Sequence, residues 1–171
     1  AIGSTAAAIA TGLSLGLPLL ALVLQSRGVS GTWIGLNTAV AGLASLVVPF
    51  FVTPLARAFG TARTLIGSLV VIAATFYAFH VVDDLAAWFV LRAVFHGATT
   101  VAFVVSEFWL VTVSPPEKRG LMVGVYATVF SIGLALGPIL LSLTGAEGAL
   151  PFAGGAAVLA VAVVPAILAR R

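Results

Sequence analysis

Six predominantly apolar stretches, at roughly 4–25, 32–56, 64–82, 86–113, 120–143 and 150–168, account for nearly all of this 171-residue chain. Each has about the twenty residues that an α-helix needs to cross a bilayer. Inside lipid every backbone N–H and C=O must be paired within its own segment, so stretches like these form spanning helices. The expectation is an all-α integral membrane protein, one transmembrane bundle of six helices over residues 1–171, without a soluble module. A hydrophobic share of 61% is too high for a soluble domain of this size. The first stretch is too long and too glycine-interrupted for a secretion signal, and no A-x-A-type cleavage site follows it.

The few charged residues orient that bundle. Arg57, Arg63, Lys118, Arg119, Arg170 and Arg171 fall at alternate breaks, whereas the other breaks carry Arg27, Asp83, Asp84 and Glu147. Cytoplasmic loops hold the excess of Lys and Arg, which places both termini in the cytoplasm. The breaks have turn chemistry: Ser30 or Thr32 can cap the second helix, Pro115–Pro116 stops the fourth, and Glu117 suits the start of the fifth. Trp33, Trp88 and Trp109 lie near span ends and read as interfacial anchors.

Several function classes drop out. The pI near 10 comes from dispersed junction residues with no basic run longer than two, so nucleic acid is not an expected partner. The absence of cysteine removes disulfides, thiolate metal sites and cysteine nucleophiles, and no paired-histidine metal spacing occurs. No cofactor is implied. Gly12-Leu13-Ser14-Leu15-Gly16 fits G-x-S-x-G, but a nucleophile elbow needs a strand–turn–helix setting that a continuous apolar span does not provide. An enzyme is not expected.

What lipid burial does not explain is the polarity inside the spans. The sixth has no polar side chain from Pro151 to Ala169 and reads as an outer, lipid-facing helix. The fourth carries Arg92, His96, Thr99, Thr100 and Glu107. At 100° per residue His96 and Glu107 nearly eclipse, and Arg92 lies within about 60° of Glu107, so the three form one stripe. A charge at mid-bilayer costs about 2.5–3.5 kcal/mol even on the mild insertion scale, and such residues belong toward an interior or a wet cavity. Arg92 either snorkels to the interface or faces the cavity. Glu107 either joins an ion pair with Arg57, Arg63 or Arg119 or acts as a proton-carrying carboxyl. His96 is a titratable group or an interhelical hydrogen-bond donor. Asn37 contacts solute or glues helices together, and Tyr126 is a further cavity candidate. Gly133-x-x-x-Gly137, followed by Pro138, permits close helix approach.

At the junctions the chain resembles the amino-terminal half of a major facilitator superfamily transporter. The loop Thr53-Pro54-Leu55-Ala56-Arg57-Ala58-Phe59-Gly60-Thr61-Ala62-Arg63 is similar to that family's G-x-L-a-D-r-x-G-r-r signature. Leu55, Ala56 and Gly60 are kept, Arg57 stands at the acidic position, and Thr53 replaces the first glycine. Glu107-Phe108-Trp109-Leu110 with Pro116-Glu117-Lys118-Arg119-Gly120 is similar to an E-x-W-L … P-x-E-x-R-G pattern of bacterial members. Gly133 to Pro138 resembles the G-x-x-x-G-P core of the antiporter motif. The resemblance implies two inverted three-helix repeats and a bacterial cytoplasmic membrane. It also implies a solute cavity completed by a second six-helix half or a second copy of the chain. The expected activity is secondary transport of a small solute by alternating access. Asn37, Arg92, His96 and Tyr126 would serve the cavity; Glu107 with Arg57, Arg63 and Arg119 would form a gate or carry a coupled proton. The rival expectation is a membrane scaffold that kept the fold without transport.

Overall fold

A computed structural model describes residues 2–168; Arg170 and Arg171, used above to orient the bundle, lie outside the described residues. The chain is all helical. Its elements are α1 (Ile2–Ser26), α2 (Gly31–Val47), α3 (Pro49–Phe59), α4 (Thr61–Val81), α5 (Leu85–Val113), α6 (Arg119–Thr144), α7 (Leu150–Val161) and α8 (Val163–Leu168). A 3-10 turn at Pro116–Lys118 precedes α6. By length and apolarity α1, α4, α5, α6 with its leading turn, and α7–α8 can each cross a membrane. The pair α2–α3 meets the same condition only when taken together, with a bend of 57° between its parts.

That bend divides the second span expected over 32–56 into two helices. Proline at 49 has no N–H to return to the Ser45 carbonyl, so the helix breaks at Val48 and restarts with Pro49 in its first turn. A second break falls at Ala162, one turn before Pro165, which cannot pair with the carbonyl of Val161. Pro18 and Pro138, in contrast, sit inside unbroken helices.

The bundle is built on two intimate pairs, α1 with α6 and α4 with α5, to which α2 adds along α5 and α7 along α4. The core runs through Leu15, Leu19, Leu69, Phe76, Phe79 and Phe95. The α1–α6 approach is made possible by glycine. A Cβ on Gly133 would lie 2.8 Å from the Cβ of Ala10, and one on Gly137 would meet the Ser14 hydroxyl and lie 2.5 Å from the Leu15 amide nitrogen. Pro138, beside them, is exposed on the far side of α6. The hydroxyl of Thr11 lies 2.8 Å from the Ala7 carbonyl on its own helix and 3.1 Å from the Gly133 carbonyl across the seam. The Ser14 hydroxyl of the G-x-S-x-G run is likewise 3.4 Å from that carbonyl, inside a continuous helix.

The last span is less peripheral than its composition suggests. Pro151, Phe152, Gly155 and Leu159 are buried, and Phe152 meets Phe76 of α4 at 6.1 Å between ring centroids. Its other face is exposed.

At the end of the bundle holding the α1–α2 and α4–α5 turns, one backbone carbonyl gathers several side chains. Val82 O accepts from the Trp88 indole at 2.7 Å and from Arg27 Nη1 at 3.3 Å. The Arg27 guanidinium sits 4.9 Å over the Trp88 ring and pairs with Asp83 at 3.2 Å. Trp88 is therefore a buried core residue and not the interfacial anchor its position suggested; Trp33, half exposed against Phe89, fits that description better. Asp84 caps α5 by accepting from the Ala87 amide at 2.7 Å, while Ser30 holds the cap position of α2 without a side-chain bond.

Candidate functional site

Helix α5 is the longest element and sits between α2 and α4, so its residues meet neighbours on two sides. Its face toward α2 carries Arg92 and His96, one turn apart. Arg92 is fully buried and His96 only 6% exposed. From α2, Asn37 enters the same interface fully buried; Asn37 and Ala41 are the buried residues of that helix. Arg92 Nη2 reaches the Thr38 hydroxyl at 3.4 Å, a long and weak hydrogen bond. Further along the same seam the Thr100 and Ser45 hydroxyl oxygens lie 3.3 Å apart. The pairs 38–92 and 45–100 show that α2 and α5 run parallel.

The unusual property of this seam is what its polar atoms lack. Among the described residues, the buried side-chain nitrogen and oxygen atoms without a hydrogen-bond partner are Asn37 Nδ2 and Oδ1, Arg92 Nε and Nη1, and His96 Nε2. All belong to the α2–α5 seam. Other buried hydroxyls have partners, Thr99 in the Phe95 carbonyl at 2.7 Å, Ser68 in the Thr64 carbonyl at 2.8 Å and Tyr126 in the Ser106 hydroxyl. Leaving one buried polar group unpaired costs about 1–3 kcal/mol, and more for a charged one. Asp83, Asp84, Glu107, Glu117 and Glu147 are all exposed, so no carboxylate of the described chain is buried beside Arg92.

His96 also borders a cavity of about 310 Å³. Ile9 and Leu13 of α1 and the Phe103 and Phe130 rings form its apolar walls, with Ser45, Thr99 and Thr100 as hydroxyl-bearing neighbours. Tyr126 stands behind the aromatic wall, its ring stacked on Phe130 at 6.4 Å, its hydroxyl 2.8 Å from Ser106 Oγ.

A helical membrane bundle with this order of junction sequences matches the family model described as Major Facilitator Superfamily over residues 2–171. The chain belongs to the Major Facilitator Superfamily. It is 26% identical over 138 residues to YfkF of Bacillus subtilis strain 168, itself described as an uncharacterised MFS-type transporter. That match covers 80% of this chain and 35% of YfkF, so the chain spans about a third of the length of its curated relative. Members of the superfamily are non-catalytic carriers, and no group of three or more His, Asp or Glu able to hold a metal occurs among the described residues.

Against that family background the remaining sequence-derived residues divide. Asn37, Arg92 and His96 come together, and Tyr126 lies deeper along α5 and α6. Glu107 does not share their burial: it is exposed, about three turns beyond His96. α2 ends level with the residues just past Thr100, short of Glu107. Arg57 in the last turn of α3, Arg63 in the first turn of α4 and Arg119 at the start of α6 are exposed as well. No ion pair joins Glu107 to any of them among the described residues. Two contributors escaped the sequence reading. Thr38 follows Asn37 and holds Arg92; Ser106 precedes Glu107 and holds Tyr126. A hydroxyl inside an apolar helix usually bonds its own carbonyls, so neither stood out.

Proposed function

We propose that this chain forms the amino-terminal six-helix half of a secondary transporter that moves a small solute by alternating access. α1–α4 (spans one to three, with α2–α3 as one bent span) and α5–α8 (spans four to six) would be its two inverted three-helix repeats. The observation carrying this reading is the α2–α5 seam, where Asn37, Arg92 and His96 present unpaired polar atoms within spanning helices. Membrane proteins keep such expensive groups where they meet solute or water. Residues Asn37, Arg92 and His96 would line the solute path with Tyr126 at its inner wall, and a second six-helix half or a second copy of the chain would supply the opposite wall.

In this reading the Arg57, Arg63 and Arg119 end faces the cytoplasm, because it holds the excess of basic residues. The carboxylate of Glu107 sits at that end, where it would pair with a basic residue when the gate closes or carry a proton. The two roles separate experimentally. The complete carrier, reconstituted in liposomes, should show saturable solute movement within a broad chemical panel. Loss of pH-gradient driven accumulation with exchange intact in Glu107→Gln would mark a proton role; a leak with coupling intact would mark a gate. If no solute of any class moves, and collapsing the pH gradient changes nothing, transport is wrong and a scaffold that retained the fold remains.

A further inference from the structure

Resting on the transporter reading, we infer that the solute is a compact organic anion, with an oxyanion held by Arg92 and Asn37 and an apolar body lying in the cavity beside His96. Three observations converge on this class. The first is charge. Arg92 places one fixed positive charge inside the bundle, fully buried, and every carboxylate among the described residues is exposed. Glu107, on the same helix, is about 22 Å away along the axis. Burying an uncompensated ion costs several kcal/mol, which a bound anion offsets.

The second is hydrogen-bond polarity. The unpaired atoms are rich in donors: Nε and Nη1 of Arg92 and Nδ2 of Asn37 carry N–H groups, whereas the Asn37 Oδ1 is the obligate acceptor. A guest that complements them must be mostly acceptor, which describes a carboxylate, sulfonate or phosphonate and excludes an ammonium. Arg matches such planar or multidentate acceptors better than a point charge does.

The third is shape. The cavity bordering His96 measures about 310 Å³ and is walled by Leu13, Phe103 and Phe130. Its Thr99 and Thr100 hydroxyls donate to the Phe95 and His96 carbonyls of their own helix, so the wall they add is largely apolar. A cavity of that size suits a small molecule with a ring or branched chain, and offers little to an inorganic anion or a polyhydroxylated sugar.

The test compares isosteres on the complete carrier. Benzoate and benzenesulfonate are set against benzamide and benzenesulfonamide, with benzylamine as the cation and inorganic phosphate as the anion without an apolar body. Ligand-dependent rise in Tm of the detergent-purified protein reads binding, since a ligand specific for the folded state raises it saturably. The expected result is a saturable rise with the two organic anions, at least tenfold weaker apparent affinity for the amides and phosphate, and none with benzylamine. Arg92→Lys should keep a weakened rise, and Arg92→Gln should lose it. Equal responses to anions and amides in the unaltered protein overturn the inference without needing a variant to fold. Equal anion binding in Arg92→Gln overturns Arg92 as the anchor. Should the liposomes move a neutral or cationic solute while no organic anion binds, the anion class fails and the transporter stands. Should nothing move and nothing bind, both fail.

Discussion

Tyr126 and Ser106 give the simplest residue-scale test of how this interior is held. Their hydroxyls are 2.8 Å apart and buried, and they tie α5 to α6, which otherwise touch lightly. Tyr126→Phe should lower stability by about 1 kcal/mol, and Ser106→Ala by a similar amount. The double variant should cost less than the two losses added, because Ser106→Ala alone leaves the Tyr126 hydroxyl unpaired, whereas Ser106 keeps its 2.9 Å bond to the Phe103 carbonyl when Tyr126 is changed. Unfolding of the purified protein in a denaturing detergent would read all three. Trp88 makes a sharper contrast with its neighbour. Fully buried against Phe79 at 5.0 Å, Trp88→Ala should cost about 3–5 kcal/mol, whereas Asp83→Asn, at a side chain 91% exposed, should stay within about 1 kcal/mol. What was legible at this scale follows from solvation. A charge or amide within an apolar run announces itself, so Asn37, Arg92 and His96 stand out in the sequence as polar groups within spans. Burial at a span end does not: Trp88 and Trp33 occupy similar depths, yet one is covered by Arg27 and Phe79 and the other stands half in the open.

At the scale of the element, glycine decides which helices touch. Gly137→Ala would drive a methyl into backbone atoms of α1, which cannot step aside as a side-chain tip can. A loss of about 3 kcal/mol or more, at or above the upper end for overpacked cores, is expected, together with poor recovery of folded protein. Gly154→Ala meets nothing within 4 Å and should be neutral or slightly stabilising, which makes it the control for substitution at a helical glycine. The extents of five spans were readable from apolar length to within a few residues, because a spanning helix has little choice of length. Which of the prolines inside spans breaks its helix was not. Proline within a span is tolerated at 18 and 138 and breaks the helix at 49, and which outcome prevails depends on the neighbours that satisfy the freed carbonyl.

The whole molecule is unevenly dressed. Within an apolar 18-residue stretch of the α6 span only 17% of residues are buried, against 61% for the corresponding stretch of α1, although the two pack tightly together. Leu121, Val125, Ile132 and Ile139 of α6 and Leu43 and Leu46 of α2 stand exposed. Side assignment is the property of the whole that can be tested most directly. The sequence has no cysteine, so single cysteines introduced here can be labelled without background from this chain. With an impermeant maleimide on intact cells, Ser30→Cys and Glu147→Cys should react from outside, and Thr61→Cys and Glu117→Cys only after the membrane is opened. The reverse pattern would invert the proposed orientation.

The knot around the Val82 carbonyl bears on motion. It joins the turn after α1 to the turn before α5, and so fastens α1 and α5 to each other at one rim. Parts stapled in this way are poor candidates for sliding past each other. In the proposed transport cycle they would move as a single lever, and the fulcrum for rocking would lie where this bundle meets a neighbour, outside its own interior. Spin labels on the two turns should keep one narrow distance throughout a transport cycle, and Arg27→Ala should broaden it.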